Sequence, residues 1–182
     1  IINIDNNYAI FLLNQENSIN LMDKKGAIQR INYEKALNTL QQKQIQFTIE
    51  PIILEFNNID IQLIKENTKL IASLGYNISK ITNHHVTLDA IPANMKNTNT
   101  QEVIESFLEE IKLKNDNIQE LLIQKMAQQF AYNKSAKKDN YLLNEKTTLN
   151  AIIMELLNCK TPFIGINGKP CVINIEINKI FQ

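Results

Sequence analysis

Cysteine is scarce in these 182 residues: Cys159 and Cys171 are the only two. A secreted domain stapled by disulfides would carry more, so the composition points to a reducing interior and a cytoplasmic location. Net charge is missing as well, with 19 basic residues against 19 acidic ones. A protein that lives by phosphate contacts shows a basic excess, because each neutralised phosphate needs a Lys or Arg. Weak or no direct DNA binding is the expectation. No apolar run approaches the ~20 residues of a membrane helix, and no signal peptide heads the chain, so no membrane partner is expected. Neither an internal repeat nor a low-complexity linker interrupts it. The chain opens on Ile1 rather than Met, and the expectation is a piece excised from a longer protein.

What is present is 44% hydrophobic content, enough for one substantial core or two small ones sharing elements. Residues 8–14 and 18–22 are apolar runs separated by Gln15-Glu16-Asn17, a hairpin pattern. Asp23 follows where an N-cap acceptor belongs, ahead of a helical pattern through Ala27, Ile31, Leu37 and Leu40. Residues 45–56 are rich in branched side chains but include Pro51, which predicts an edge strand or a break. From Asp60 a helical stripe runs to Leu74, with Gly75 as its stop. A strand pair turning near Asn83 comes next. Three helices follow, the last capped by Asn144 or Thr147, and residues 172–177 read as a closing strand.

A terminal strand must pair with something, and here it is expected to return to the first sheet. A mainly helical insert around 60–145 is then bracketed by a sheet-bearing unit. The fold class is α+β, or mixed α/β, with two lobes.

Four stretches, in order and at matching spacing, carry a family resemblance. Asp23 through Glu34, "DKKGAIQRINYE", is similar to D-Q-H-A-x-x-E-R-I-x-Y-E. Gln46 through Pro51 stands at a Q-x-x-x-x-P element, and Ala131 through Lys137 at A-C-R-x-A-x-K. Pro162 through Pro170, "PFIGINGKP", parallels P-x-x-C-P-H-G-R-P. The chain thereby resembles the C-terminal domain of the MutL DNA mismatch-repair proteins over nearly its whole length. The resemblance implies a bilobed domain: a discontinuous dimerisation lobe, 1–58 and 146–182, and an inserted helical, regulatory lobe, 59–145. It also implies a homodimer, an N-terminal ATPase region elsewhere in the full-length protein, and other mismatch-repair proteins as partners.

In many members of that family these motifs build a metal-dependent nicking endonuclease, whose carboxylate, imidazole and thiolate groups hold a divalent ion that activates water. Carried across one position at a time, the first Asp is kept as Asp23 and the later Glu as Glu34. The His position is Lys25 and the ligand Glu is Gln29. The A-C-R thiol is Tyr132, the last motif's Cys is Gly165, and its His is Asn167. Gly168 and Pro170 keep the turn, and Lys169 keeps the Arg's charge. The expectation is a homodimerisation and interaction domain without a catalytic residue, metal or cofactor. Two alternatives stand beside it: a nicking endonuclease with an atypical Mg²⁺ or Mn²⁺ site at Asp23 and Glu34, and a generic dimeric adaptor.

Other candidates are weaker. His84 and His85 are adjacent in a strand pattern and so point to opposite faces. Cys159 and Cys171 flank one turn and read as ordinary buried thiols. Gln46, Phe47, Ile49 and Pro51 match an element that in the family docks in the groove of the DNA sliding clamp. The same residues also read as an edge strand whose alternate side chains enter the core. Lys24, Lys25, Arg30, Lys134, Lys137 and Lys138 make either a basic face beside DNA or a solvated surface.

Overall fold

The computed structural model describes residues 1–13, 17–93, 95, 99–113, 118–136 and 145–179. The chain divides into two compact units, one formed by 1–34 with 131–182 and the other by 35–130. The end unit is therefore discontinuous. Its boundaries fall inside two long helices, α1 (Lys24–Gln41) and α5 (Ile118–Ala136), and not at the 58/59 and 145/146 positions read from the sequence. Helical periodicity runs straight through such a boundary, so pattern alone gives no sign of it.

The end unit carries an antiparallel four-stranded sheet: β1 (Ile2–Asn3), β2 (Tyr8–Phe11), β3 (Ser18–Asp23) and, beside β3, the closing strand β7 (Val172–Glu176). The C-terminal strand does return to the first sheet, pairing Met22 with Val172 and Ser18 with Glu176. Ile177, expected to continue it, instead begins a short 3-10 turn, Ile177–Lys179. Strand alternation then sorts the side chains onto two faces. Ala9, Phe11, Met22 and Val172 point inward, where they pack with Ala27 and Ile31 of α1 and with Leu149, Ile153 and Leu156 of α6 (Lys146–Leu157). Thr147 lies inside α6 and caps nothing, because the cap position is Glu145; Asn144 lies outside the described residues. The Gln15-Glu16 part of the first hairpin turn also lies outside them.

The other face of this sheet is the more open one, with Ile10, Ile19 and Leu21 half-buried. Ile2 opposes Ile10, Ile10 opposes Leu21, Leu21 opposes Ile173, and Ile19 opposes Ile175. Ile2 is 65% exposed, Ile173 52% and Ile175 38%. An antiparallel sheet with one covered and one solvated face normally alternates apolar with polar residues. Here the open face is apolar, and the inward face adds a polar cluster, in which Asn174 Nδ2 donates to Ser18 Oγ and Asn20 Oδ1, to its apolar residues.

The inserted unit has its own antiparallel sheet, ordered β4 (Ile45–Glu55), β6 (His85–Pro92), β5 (Asn77–Ile81). Pro51 behaves as its chemistry requires: β4 is an edge strand, and its register against β6 shifts between Phe47 and Ile52. The predicted single helix after Asp60 is two, α2 (Asn58–Glu66) and α3 (Thr68–Ser73). Asn67 divides them by turning its side-chain amide onto the Leu63 carbonyl at 2.8 Å, which competes with continuation of the helix. Gly75 is the expected stop. At φ +93° its amide reaches Ala72 O while that of Tyr76 reaches Ile71 O, the paired bonds of a Schellman ending. α4 (Thr100–Lys112) packs on α2 and β4.

Candidate functional site

The corner between β3 and α1 positions the site. Asp23 ends the strand, and its Oδ1 accepts the amide of Lys25 at 3.0 Å, starting the helix as an N-cap. Its own amide donates to Cys171 O at 2.9 Å, which ties the corner to the start of β7. Lys24, the next residue, is fully buried. Its Nζ donates to Asn3 Oδ1 at 2.6 Å and to Asp5 O at 2.5 Å, a tether for the N-terminal hairpin. Burial pushes this amine below its usual range, opposed by the charge of Asp5.

Asp23, Lys25, Gln29, Tyr132, Gly165 and Asn167, which the sequence scatters over three segments, line one cleft of ≈ 370 Å³ in the end unit. Gly26, Lys169, Pro170 and Cys171 complete its lining. Gln29 Nε2 donates to Ser135 Oγ at 3.2 Å. Gly26 is required by close approach: a Cβ there would lie 2.9 Å from Asp23 Oδ2 and 2.9 Å from Cys171 Cβ. The opposite wall is a tight turn in which Gly165 N donates to Lys169 O at 2.7 Å and Gly168 takes φ +78°.

Glu34 is not in the cleft. Its carboxylate accepts the amides of Lys160 at 2.7 Å and Thr161 at 3.3 Å, and Arg30 lies 3.8 Å away. Asp23 lines the cleft and Glu34 does not. Arg30 is buried beneath the same turn, donating to Ile164 O at 2.6 Å and Gly165 O at 3.0 Å, with its guanidinium 5.4 Å from the centre of the Tyr33 ring. These motif residues buttress the turn.

The basic face loses two of its members, since Lys24 and Arg30 are buried and hydrogen-bonded. Lys25 and Lys134 are exposed, while Lys137 and Lys138 lie outside the described residues. Both cysteines are free thiols. Cys171 was missed as a cleft residue because nothing in its strand pattern distinguishes it. Burial pushes its thiol up, the nearby Arg30 charge opposing.

A divalent ion, implied by the resemblance, does not fit this donor set. The cleft offers one carboxylate, a thiol held protonated by burial, and two lysine ammonium groups. A bound ion needs deprotonated ligands, and fixed cations beside it would oppose it. Among the described residues no group of three or more His, Cys, Asp or Glu side chains could hold a metal. His84 sits in the β5–β6 turn, and His85 opens β6 with Nε2 3.4 Å from Glu55.

The clamp candidate lies on β4, at the register shift. Phe47 is 74% and Ile49 95% exposed, so these alternate side chains do not enter the core. Gln46 and Thr48 are half-buried, and Thr48 Oγ1 donates to Asp89 O at 3.1 Å. Pro51 is exposed.

Comparison with known proteins adds a family. Residues 2–142 match the family model described as the MutL C-terminal dimerisation domain. The chain is 24% identical over 177 residues to a DNA mismatch repair protein MutL of Lactiplantibacillus plantarum, covering 94% of this chain and 26% of that protein. It is 22% identical over 174 residues to the MutL protein of Thermoanaerobacter pseudethanolicus, covering 94% and 28%. Against the one from Rickettsia felis it is 24% identical over 180 residues, covering 95% and 29%. The chain spans between a quarter and a third of the length of these relatives. No described helix is long and apolar enough to cross a membrane.

Proposed function

Because the chain belongs to the MutL C-terminal dimerisation domain family, we propose that it joins two copies of a mismatch-repair protein and that its cleft performs no DNA nicking. The observation that carries the first part is the open apolar face of the four-stranded sheet. Burying such a face is favourable at roughly 25 cal/mol per Å² of apolar surface. A second copy presents the same face, and an isologous contact closes on itself. The second part rests on the donor set of the cleft, in which Lys25 and Lys169 flank Asp23 and Glu34 is turned to the backbone of the 160–161 turn.

Sedimentation at micromolar concentration is expected to give a dimer, and a strict monomer would overturn the first part. Supercoiled plasmid with Mn²⁺ is expected to show no nicking above an Asp23→Ala control. Nicking that the substitution removes would restore the endonuclease reading. An ATPase region in the full-length protein and a cytoplasmic location belong to the same proposal. A generic adaptor outside repair would bind none of the repair proteins.

A second surface supports a sliding clamp as partner. The exposed Phe47 and Ile49 on an edge strand suit a hydrophobic groove, which an extended segment can enter with alternate side chains. The double change Phe47→Ala with Ile49→Ala is expected to weaken clamp capture about a hundredfold, since two apolar anchors of about 1.5 kcal/mol or more each are removed. Surface plasmon resonance against immobilised clamp measures it. Equal binding by the variant would exclude this strand as the docking element.

A further inference from the structure

The cleft's chemistry suits an anion, and we propose that it takes a phosphate group. This rests on the reading that no catalytic ion sits there, and it goes further by naming what the cleft accepts instead. Lys25 stands on the first turn of α1 and Lys169 on the turn across from it, and both line the cavity. Among the described residues neither ammonium has a hydrogen-bond or ion-pair partner. The single carboxylate is engaged through one oxygen: Asp23 Oδ1 accepts the Lys25 amide. Two lysines therefore line the cleft with one capping carboxylate.

The neutral groups agree. Asn167 Oδ1 accepts the amide of Lys169 at 3.0 Å, which leaves the NH₂ end of that carboxamide as the donor for a guest. Tyr132, 45% exposed, adds a phenolic hydroxyl. Ammonium, carboxamide N–H and phenol O–H are the donors that phosphate oxygens accept, and lysine supplies charge-assisted bonds without fixed geometry. The two lysines that line the cleft repel a metal and attract a phosphate. A site with two lysines is a local contact, compatible with a neutral chain that does not grip DNA.

The phosphate has two possible sources, free orthophosphate or a phosphodiester of a DNA strand, and the test has an arm for each. The chain is prepared without chelator and analysed for metal, then transferred to EDTA. Its ¹H–¹⁵N spectrum is titrated with sodium phosphate at constant ionic strength, and in parallel a labelled DNA duplex is titrated by fluorescence anisotropy. The amides of Lys25, Gly165, Gly168 and Lys169 are expected to shift with at least one ligand. Joint Lys25→Gln and Lys169→Gln changes should weaken that ligand about tenfold or more. Lys65→Gln, an exposed lysine of the inserted unit, should leave binding unchanged. Orthophosphate alone identifies a free-anion site; duplex binding whose salt slope falls by about two in the double variant identifies a strand contact. If neither ligand moves these amides, or the double variant binds as the parent does, the phosphate assignment is wrong. Stoichiometric zinc or manganese in the chelator-free protein would instead overturn the metal-free reading beneath it.

Discussion

Leu21→Asp together with Ile175→Asp is expected to turn a dimer into a folded monomer. Leu21 lies on β3 between Ile10 of β2 and Ile173 of β7, and Ile175 is the next outward residue along β7. Both point away from the helices, so in a monomer the new carboxylates meet water and the inner core of Ala9, Phe11, Met22 and Leu156 is untouched. In an isologous dimer each change enters twice, and four carboxylates would be driven together against apolar side chains. Leaving an ionised group dry and unpaired is costly, and like charges add repulsion. A penalty of about 3 kcal/mol or more per dimer corresponds to a dissociation constant raised about a hundredfold or more. Sedimentation velocity across micromolar concentrations reads the shift, and an unchanged far-UV spectrum shows that the sheet has not melted. A variant that still sediments as a dimer at the parent's concentration would move the contact to another surface.

The same face explains how much of the fold was readable in advance. Alternation along β2, β3 and β7 announces strands, and the closing strand could only return to the first sheet. One alternating set, Ile10, Ile19, Leu21, Ile173 and Ile175, is apolar throughout, while the other mixes Met22 and Val172 with Ser18, Asn20 and Asn174; which set meets α1 and α6 is not written in either. α1 follows β3 directly, but α6 reaches the first strands from more than a hundred residues along the chain. Lys24 is a sharper case. In sequence it is an ordinary lysine at a helix start, with another lysine beside it. It is buried because Asn3 and Asp5, about twenty residues earlier, fold over it, and local pattern carries no trace of that.

The cleft divides in the same way. Asp23 as a cap follows from chemistry and position alone. That Gln29, Tyr132, Gly165 and Asn167 share a cavity with it came from ordered motifs in three segments, not from periodicity. Glu34 shows where that route misleads. Its motif neighbours sit in or beside the cleft, yet 3.6 residues per turn carries it more than a full turn beyond Arg30, where the 160–161 amides compete for its oxygens.

Arg30→Met is expected to be among the most destabilising single changes in the end unit. The guanidinium is 9% exposed as a residue and bonds two carbonyls that stay inside when it is gone, Ile164 O and Gly165 O. Glu34 loses its cation as well, though it keeps the Lys160 and Thr161 amides. Removing one member of a buried charged network costs about 3–5 kcal/mol, because the partners are left desolvated. At about 2–4 °C per kcal/mol for a chain of this size, the melting temperature should fall by about 10 °C. Arg30→Lys should recover only part of this, since one ammonium on a flexible stem cannot reproduce the fork that spans both carbonyls. Glu34→Gln should cost less, about 1 kcal/mol, because a carboxamide oxygen can still accept one of the two amides. Calorimetry on the three variants gives the order Met, Lys, Gln from worst to mildest. If Arg30→Met melts with the parent protein, the turn from 160 to 170 is held by its own backbone bonds, and Arg30 is a passenger beneath it.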